Sequence, residues 1–347
     1  MANVTVIGAG NTGVAVAVHL ARTGHRPLLY ARNPATLTAL QSGPVSVEGI
    51  WQGSYAIPAT GDLDEAVDQA DFILVCTWAN DHASVFDALY GTAGDKAVDL
   101  VVLNGNWGAV QAFDSRSRHA KGTGAGLVGE TTGMPYVAHY DRHANRVQVD
   151  AMKTRVALSI IPGSDATTAR SLFDSLYNEI IVSFNAFGTS LGALNPIIHA
   201  PLCLLNMTRI EQGEPFHILT DGFTANAERL ISGIDAERHA IARSLDTPYT
   251  PILEQLTSQW DEHYDSLHDL FRSNPVYANL SGPDGTGHRF IQEDIPYGIT
   301  PIVDLGKLLH VPTPVCTALL ESYRQYFGTK FNGPAFTNDL IRELPRA

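Results

Sequence analysis

A chain of 347 residues is too long for one ordinary hydrophobic core and suits two domains. With 44% hydrophobic and 17% charged residues it reads as globular, and a formal net charge of −13 argues against a nucleic acid or an anionic membrane surface as partner, because either calls for a basic face. Cys76, Cys203 and Cys316 are scattered without disulfide or metal spacing, so no metal site is expected and a reducing, cytoplasmic setting is; no signal-peptide pattern and no bilayer-spanning apolar run are read, and a homodimer is the expected assembly.

The chain opens on Val4-Thr5-Val6-Ile7, an apolar β-type run, which breaks into G-x-G-x-x-G at Gly8, Gly10 and Gly13 and continues as a small-residue helix from Val14. That glycine pattern is weak alone, but strand, tight turn and helix in this order give it meaning. Gly8 serves the turn, Gly10 lets the backbone approach a pyrophosphate and Gly13 lets helix and strand pack closely. Asn11 and Thr12 then sit at the helix N-terminus, where unpaired N–H groups attract an anion. A bound dinucleotide is therefore expected. The second strand, Pro27-Leu28-Leu29-Tyr30, leads to Ala31-Arg32-Asn33, where an NAD-preferring site would place a carboxylate for the ribose. Arg32, beside Asn33, suits a 2′-phosphate instead, so NADP is expected ahead of NAD; the alternative is a solvated Arg32 that tolerates both.

Alternation through Val45 to Ile57 suggests a hairpin insertion, and Leu63 to Val67 a short helix. Phe72 to Cys76 and Leu100 to Leu103 are continuous apolar strands of the parallel, doubly covered kind. Their carboxyl ends, at Thr77 to His82 and at Asn104 to Gly108, should face the ligand crevice, with Thr77 a cofactor contact and His82 either a cleft residue or a structural one. Gly126 to Thr132, Val147 to Val149, Val156 to Ile160 and Ile180 to Val182 repeat the strand pattern. From Thr189 onward helical spacing dominates, as in Leu202 to Met207, Ala225 to Leu245 and Pro314 to Phe327. The expected fold class is α/β, a doubly wound Rossmann-type domain over residues 1–188 followed by an all-α domain over 189–347.

Two stretches of the helical half are unusual for a packed domain: Leu194 to Pro201, with His199 in an apolar run, and His288 to Gly298, which carries Arg289, Glu293 and Asp294. A buried imidazole or carboxylate without a partner costs several kcal/mol, so each is expected to have one, and pairing the two stretches satisfies both. At these residues the chain resembles the opine dehydrogenases of the octopine/nopaline type. The resemblance rests on Gly8-Ala9-Gly10-Asn11-Thr12-Gly13, Gly129-Glu130-Thr131, Asn195-Pro196 with His199, Asp235-Ala236-Glu237-Arg238, Asn274-Pro275-Val276-Tyr277, Arg289 with Glu293-Asp294, and Val311-Pro312-Thr313-Pro314.

The resemblance implies an NAD(P)H-dependent reductive condensation of a 2-oxo acid with the amino group of an amino acid. It also implies His199 as acid–base catalyst held by Asp294, Arg289 as clamp for the oxo-acid carboxylate, and Asn106 near the oxo acid; the alternatives are a satisfied core histidine at His199, a helix N-cap at Asp294 and a salt bridge from Arg289 to Glu293 or Asp294. Asn195 and Asn206 are further candidates for the amino-acid substrate, with ordinary capping and turn roles as their alternatives. Tyr297 after Pro296 departs from relatives with a small residue there. The competing functions are a ketopantoate or glycerol-3-phosphate type reductase and a non-catalytic nucleotide sensor. Such reductases rely on a lysine in or near the helical domain, and none occurs between Lys153 and Lys307.

Overall fold

The computed structural model of the chain describes residues 1–94, 96–119, 126–153, 155–161, 166–177, 179–183, 185–260 and 262–344. They fall into two compact units, Met1–Ala186 and Phe187–Ala347.

The first unit is built on β1 (Asn3–Ile7), β2 (Arg26–Tyr30), β3 (Val45–Gly49), β4 (Gly53–Tyr55), β5 (Ala59–Thr60), β6 (Phe72–Val75), β7 (Leu100–Val102), β8 (Val128–Thr131), β9 (Tyr136–Asp141), β10 (Arg146–Met152), β11 (Arg155–Ile160) and β12 (Glu179–Ser183). Eight of them form one sheet in the order β12-β11-β8-β7-β6-β1-β2-β5, parallel throughout except where β11 meets β8. Both faces of this sheet are covered, which is why β6 and β7 are apolar without alternation: Phe72 to Val75 and Leu100 to Val102 are all buried. From β1 the chain moves out through β2 to β5, then returns to β6 on the other side of β1. That reversal between β1 and β6 opens a crevice at the carboxyl ends of the strands.

A second sheet has the order β4-β3-β10-β9. Its β3–β4 hairpin matches the alternation through Val45 to Ile57. Val147 to Val149, however, does not extend the main sheet as the strand pattern suggested; within β10 it pairs parallel to β3 and antiparallel to β9. Period-two patterning marks a strand but not the sheet it joins. Aromatic packing ties this sheet to the helix Asn11–Arg22: His19 Nδ1 lies 2.7 Å from the Tyr136 hydroxyl, with Trp51 and Tyr177 around the imidazole.

The described part of the second unit is helical apart from one isolated bridge, His217 to Ser281. Its longest helix, Ala225–Ser244, starts where the Thr224 side chain accepts from Ala227 N, and it buries Ile231, Ile234 and Ile241 against the helices Asn195–Leu205 and Pro314–Phe327. The Asp235-Ala236-Glu237-Arg238 motif is structural. Arg238 is 1% exposed and donates to Ala193 O, Asp235 and the Tyr249 hydroxyl, while Glu237 accepts from Val315 N and Cys316 N at the start of the helix Pro314–Phe327. Each buried charge therefore has partners. The stretch Phe187–Leu205 is apolar and long enough to span a bilayer by composition, contrary to the sequence expectation, yet 72% of that window is buried inside the fold.

Candidate active site

In the first unit the glycine turn has the geometry of a phosphate cradle. Gly8 adopts φ +105°, closed to most side chains, and a Cβ on Gly13 would lie 1.7 Å from the Gly8 carbonyl oxygen, so helix and strand approach as closely as backbone permits. Around Gly10, by contrast, a Cβ would meet nothing within 4 Å. The helix Asn11–Arg22 begins there without a side-chain cap, leaving its first N–H groups for an anion. A cleft of about 390 Å³ runs over this turn, lined by Gly8, Gly10, Arg32, Asn33, Thr77 and Asp81 among others. Open backbone at a helix N-terminus, beside a cleft at the switch point, fits a dinucleotide.

Several expected cofactor contacts have their side chains committed elsewhere. Asn11 Oδ1 accepts from Tyr140 N at 2.9 Å, anchoring β9. The Asn33 side chain caps the helix Pro34–Gln41 by accepting from Ala35 N and Thr36 N. Both bonds use the amide oxygen alone, and Asn33 keeps its place in the cleft lining. Neither Asn11, Thr12 nor Gly13 lines the cleft. The Arg32 side chain is 65% exposed, with its Nη2 3.1 Å from Asp81 Oδ1. His82 is buried against Phe86, and burial pulls its pKa down to about 4, which assigns it to the core.

The turn after β7 is held in an uncommon conformation, with Asn104 at φ +106°, Asn106 at +76° and Trp107 at +67°. The motif Gly129-Glu130-Thr131 explains how it is held. Glu130 accepts from Ala109 N at the start of the helix Gly108–His119, and the Thr131 hydroxyl accepts from Asn104 N. Asn106 is 2% exposed and its Nδ2 has no hydrogen-bond partner among the described residues. Backbone strain with an unsatisfied donor is characteristic of a binding position.

In the second unit His199, on the helix Asn195–Leu205, and Asp294 meet: Nδ1 lies 2.8 Å from Oδ2, with the carboxylate fully buried. Asp294 immediately precedes a π-helical turn, Ile295–Ile299, and makes no capping hydrogen bond, so the capping alternative falls away. The approach depends on Gly298, where a Cβ would come within 2.1 Å of Pro196 Cβ. Phe290 stacks on the imidazole with ring centroids 3.6 Å apart. Burial pulls the His199 pKa well below 6.5, with Arg289 adding and Glu293 opposing, and pushes Asp294 up to about 7 against Arg289 and His288. Both directions have one cause: charge is disfavoured on either partner in a dry site, and Asp294 Oδ1 has no hydrogen-bond partner among the described residues. The pair thus behaves as a unit holding one proton near neutrality.

Arg289 Nη1 donates to Glu293 Oε2 at 3.1 Å, and its side chain stays 30% exposed. The ion pair given as the alternative to a clamp is thus present, and the remaining N–H groups of the guanidinium are left to meet a carboxylate. Asn206 Nδ2 donates to Leu202 O and Gly222 O, tying the end of its helix to a neighbouring loop in the capping and turn role given as its alternative. Asn195 is the first residue of the same helix as His199 and is half-buried. Sequence reasoning placed the Thr77 to His82 stretch at the crevice without singling out Asp81, and it missed Phe290, whose adjacency to Arg289 was the available signal.

Two family models match the chain. One describes the α-helical domain of NAD/NADP octopine/nopaline dehydrogenase, over residues 182–327, and the other the ketopantoate reductase PanE/ApbA family, over residues 4–128. Octopine dehydrogenase, solved with NADH and L-arginine or with NADH and pyruvate, superposes with TM-scores of 0.75 and 0.72 at 17% identity, covering 94% of this chain and 90% of that one. Yersinopine dehydrogenase with NADP+ bound gives 0.73 at 15% identity, covering 99% and 97%. These likenesses establish the fold. An opine dehydrogenase from Arthrobacter sp. (strain 1C) is 30% identical over 332 residues, 94% of this chain and 91% of that one, and on that relationship the chain belongs to the opine dehydrogenase family.

Proposed function

We propose that this NAD(P)-dependent enzyme condenses a pyruvate-like 2-oxo acid with the amino group of an L-amino acid and reduces the product to an N-(1-carboxyalkyl) amino acid. The observation that carries the chemistry is the buried 2.8 Å contact between His199 and Asp294. A bound reduced nicotinamide supplies the hydride. Asp294 fixes the imidazole through Nδ1, which leaves Nε2 as the nitrogen that exchanges a proton with the substrate. In the reductive direction that proton makes the acceptor carbon more electrophilic, and in the oxidative direction neutral Nε2 accepts it. Arg289, oriented by Glu293, holds the oxo-acid carboxylate.

The family model shared with ketopantoate reductases ends at residue 128, within the nucleotide-binding half, and no lysine stands between Lys153 and Lys307 to serve as the acid of such a reductase. Loss of nicotinamide absorbance with pyruvate alone, then with pyruvate plus a panel of L-amino acids, tests the assignment. Turnover that requires the amine is expected. Turnover without amine would point to a simple oxo-acid reductase, and none under any condition to a sensor. We propose a cytoplasmic homodimer that binds neither nucleic acid nor membrane, supported by the acidic composition and by three free, buried cysteines; light scattering tests the assembly.

A further inference from the structure

We propose that Asp81 sets the cofactor preference of this enzyme: by holding Arg32 in a neutral pair it checks the attraction for a 2′-phosphate, so that NADH and NADPH bind with similar affinity. This rests on the dinucleotide assignment of the cleft. Among the residues lining that cleft, Arg32 and Asp81 are the two that carry formal charge, and they face each other at 3.1 Å. A 2′-phosphate reaching Arg32 must therefore share the guanidinium with a carboxylate and accept its repulsion.

Both partners are fixed by their backbones. Arg32 directly precedes Asn33, which caps the helix Pro34–Gln41. Asp81 lies in the first turn of the helix Ala79–Ala93, with its N–H donating to Trp78 O and its carbonyl accepting from the Ser84 hydroxyl. It also supplies what the end of β2 lacks. An NAD site ordinarily offers the ribose hydroxyls an acidic acceptor just past the second strand, and here Ala31-Arg32-Asn33 holds a cation and no carboxylate. The acid comes instead from the start of the helix after β6, on the neighbouring side of the same cleft. One cation for the phosphate and one anion for the hydroxyls, paired with each other, make a site that discriminates weakly.

The test is equilibrium binding of NADPH and NADH, followed by quenching of tryptophan fluorescence, with circular dichroism as the control for folding. Wild-type protein should bind the two with Kd values within about 5-fold. Asp81→Asn should tighten NADPH by about 2- to 5-fold, the order of one exposed ion pair no longer competing for the guanidinium, while NADH stays level or weakens. In an Arg32→Ala background the same substitution should lose most of its effect on NADPH. Unchanged or weaker NADPH binding by Asp81→Asn, or an effect that persists without Arg32, would overturn the role of Asp81 and leave the dinucleotide site intact. Failure of the wild-type protein to bind either nucleotide would overturn both.

Discussion

Asp294→Asn separates what the buried carboxylate does for chemistry from what it costs the fold. Its pKa stands at about 7 in the folded chain against an ordinary 3.8, so folding becomes less favourable as pH rises between those values and the carboxylate must ionise without water. The full difference, about 3 pKa units, corresponds to roughly 4 kcal/mol above pH 7 as an upper bound, reduced by whatever the imidazole returns through its 2.8 Å contact. An amide of the same shape carries no such charge. At about pH 8 the variant should therefore melt a few degrees higher than wild type, roughly 3–8 °C for a net gain of 1–3 kcal/mol in a unit of this size, with little difference near pH 4. Activity should move oppositely. Without a carboxylate to hold the tautomer and stabilise the imidazolium, kcat should fall roughly 10²- to 10⁴-fold while nucleotide affinity stays within about 2-fold. Calorimetric melting at several pH values, together with steady-state kinetics, gives both quantities. A marked loss of Tm at about pH 8 would show that hydrogen bonding, not charge cost, governs the site, and unchanged kcat would remove the pair from the mechanism.

Reductive turnover in the wild-type enzyme should decline above about pH 7, where the His199–Asp294 pair gives up its proton, and a rate that still climbs through pH 8 would contradict the pairing. Arg289→Lys keeps the charge and the Glu293 contact but loses the guanidinium fork; KM for the oxo acid should rise about 10- to 100-fold with a smaller change in kcat, and an effect on kcat alone would refute a binding role. Gly13→Ala forces a methyl to within 1.7 Å of the Gly8 carbonyl, so unfolding in urea should show a loss of about 1–3 kcal/mol and nucleotide binding should collapse. His19 has its pKa drawn from 6.5 to about 4, by burial first and by Arg22 and His25 next. The unfolded chain then binds more protons in that interval, so up to about 3 kcal/mol should be lost as pH falls from 6.5 to 4; His19→Gln should flatten that slope in urea titrations, and an unchanged slope would refute the assignment.

Local physics made much of this molecule legible in the amino-acid order alone. Gly8, Gly10 and Gly13 follow an apolar strand and open a small-residue helix, and that arrangement is decided within a few residues of chain. Phe72 to Val75 and Leu100 to Val102 are apolar without alternation because a sheet covered on both faces demands it, and the helical spacing after residue 189 is equally local. The union of His199 with Asp294 could be anticipated because a buried polar group needs a partner, although its geometry could not: it depends on Gly298 letting a π-helical turn lie against Pro196. Tertiary structure alone decided that β10 joins the small sheet, that the Asn11 side chain anchors Tyr140, and that Arg32 is met by Asp81 from another crossover. Such pairings bring together segments tens of residues apart, where composition and period carry no information and only the packed chain selects which donor finds which acceptor.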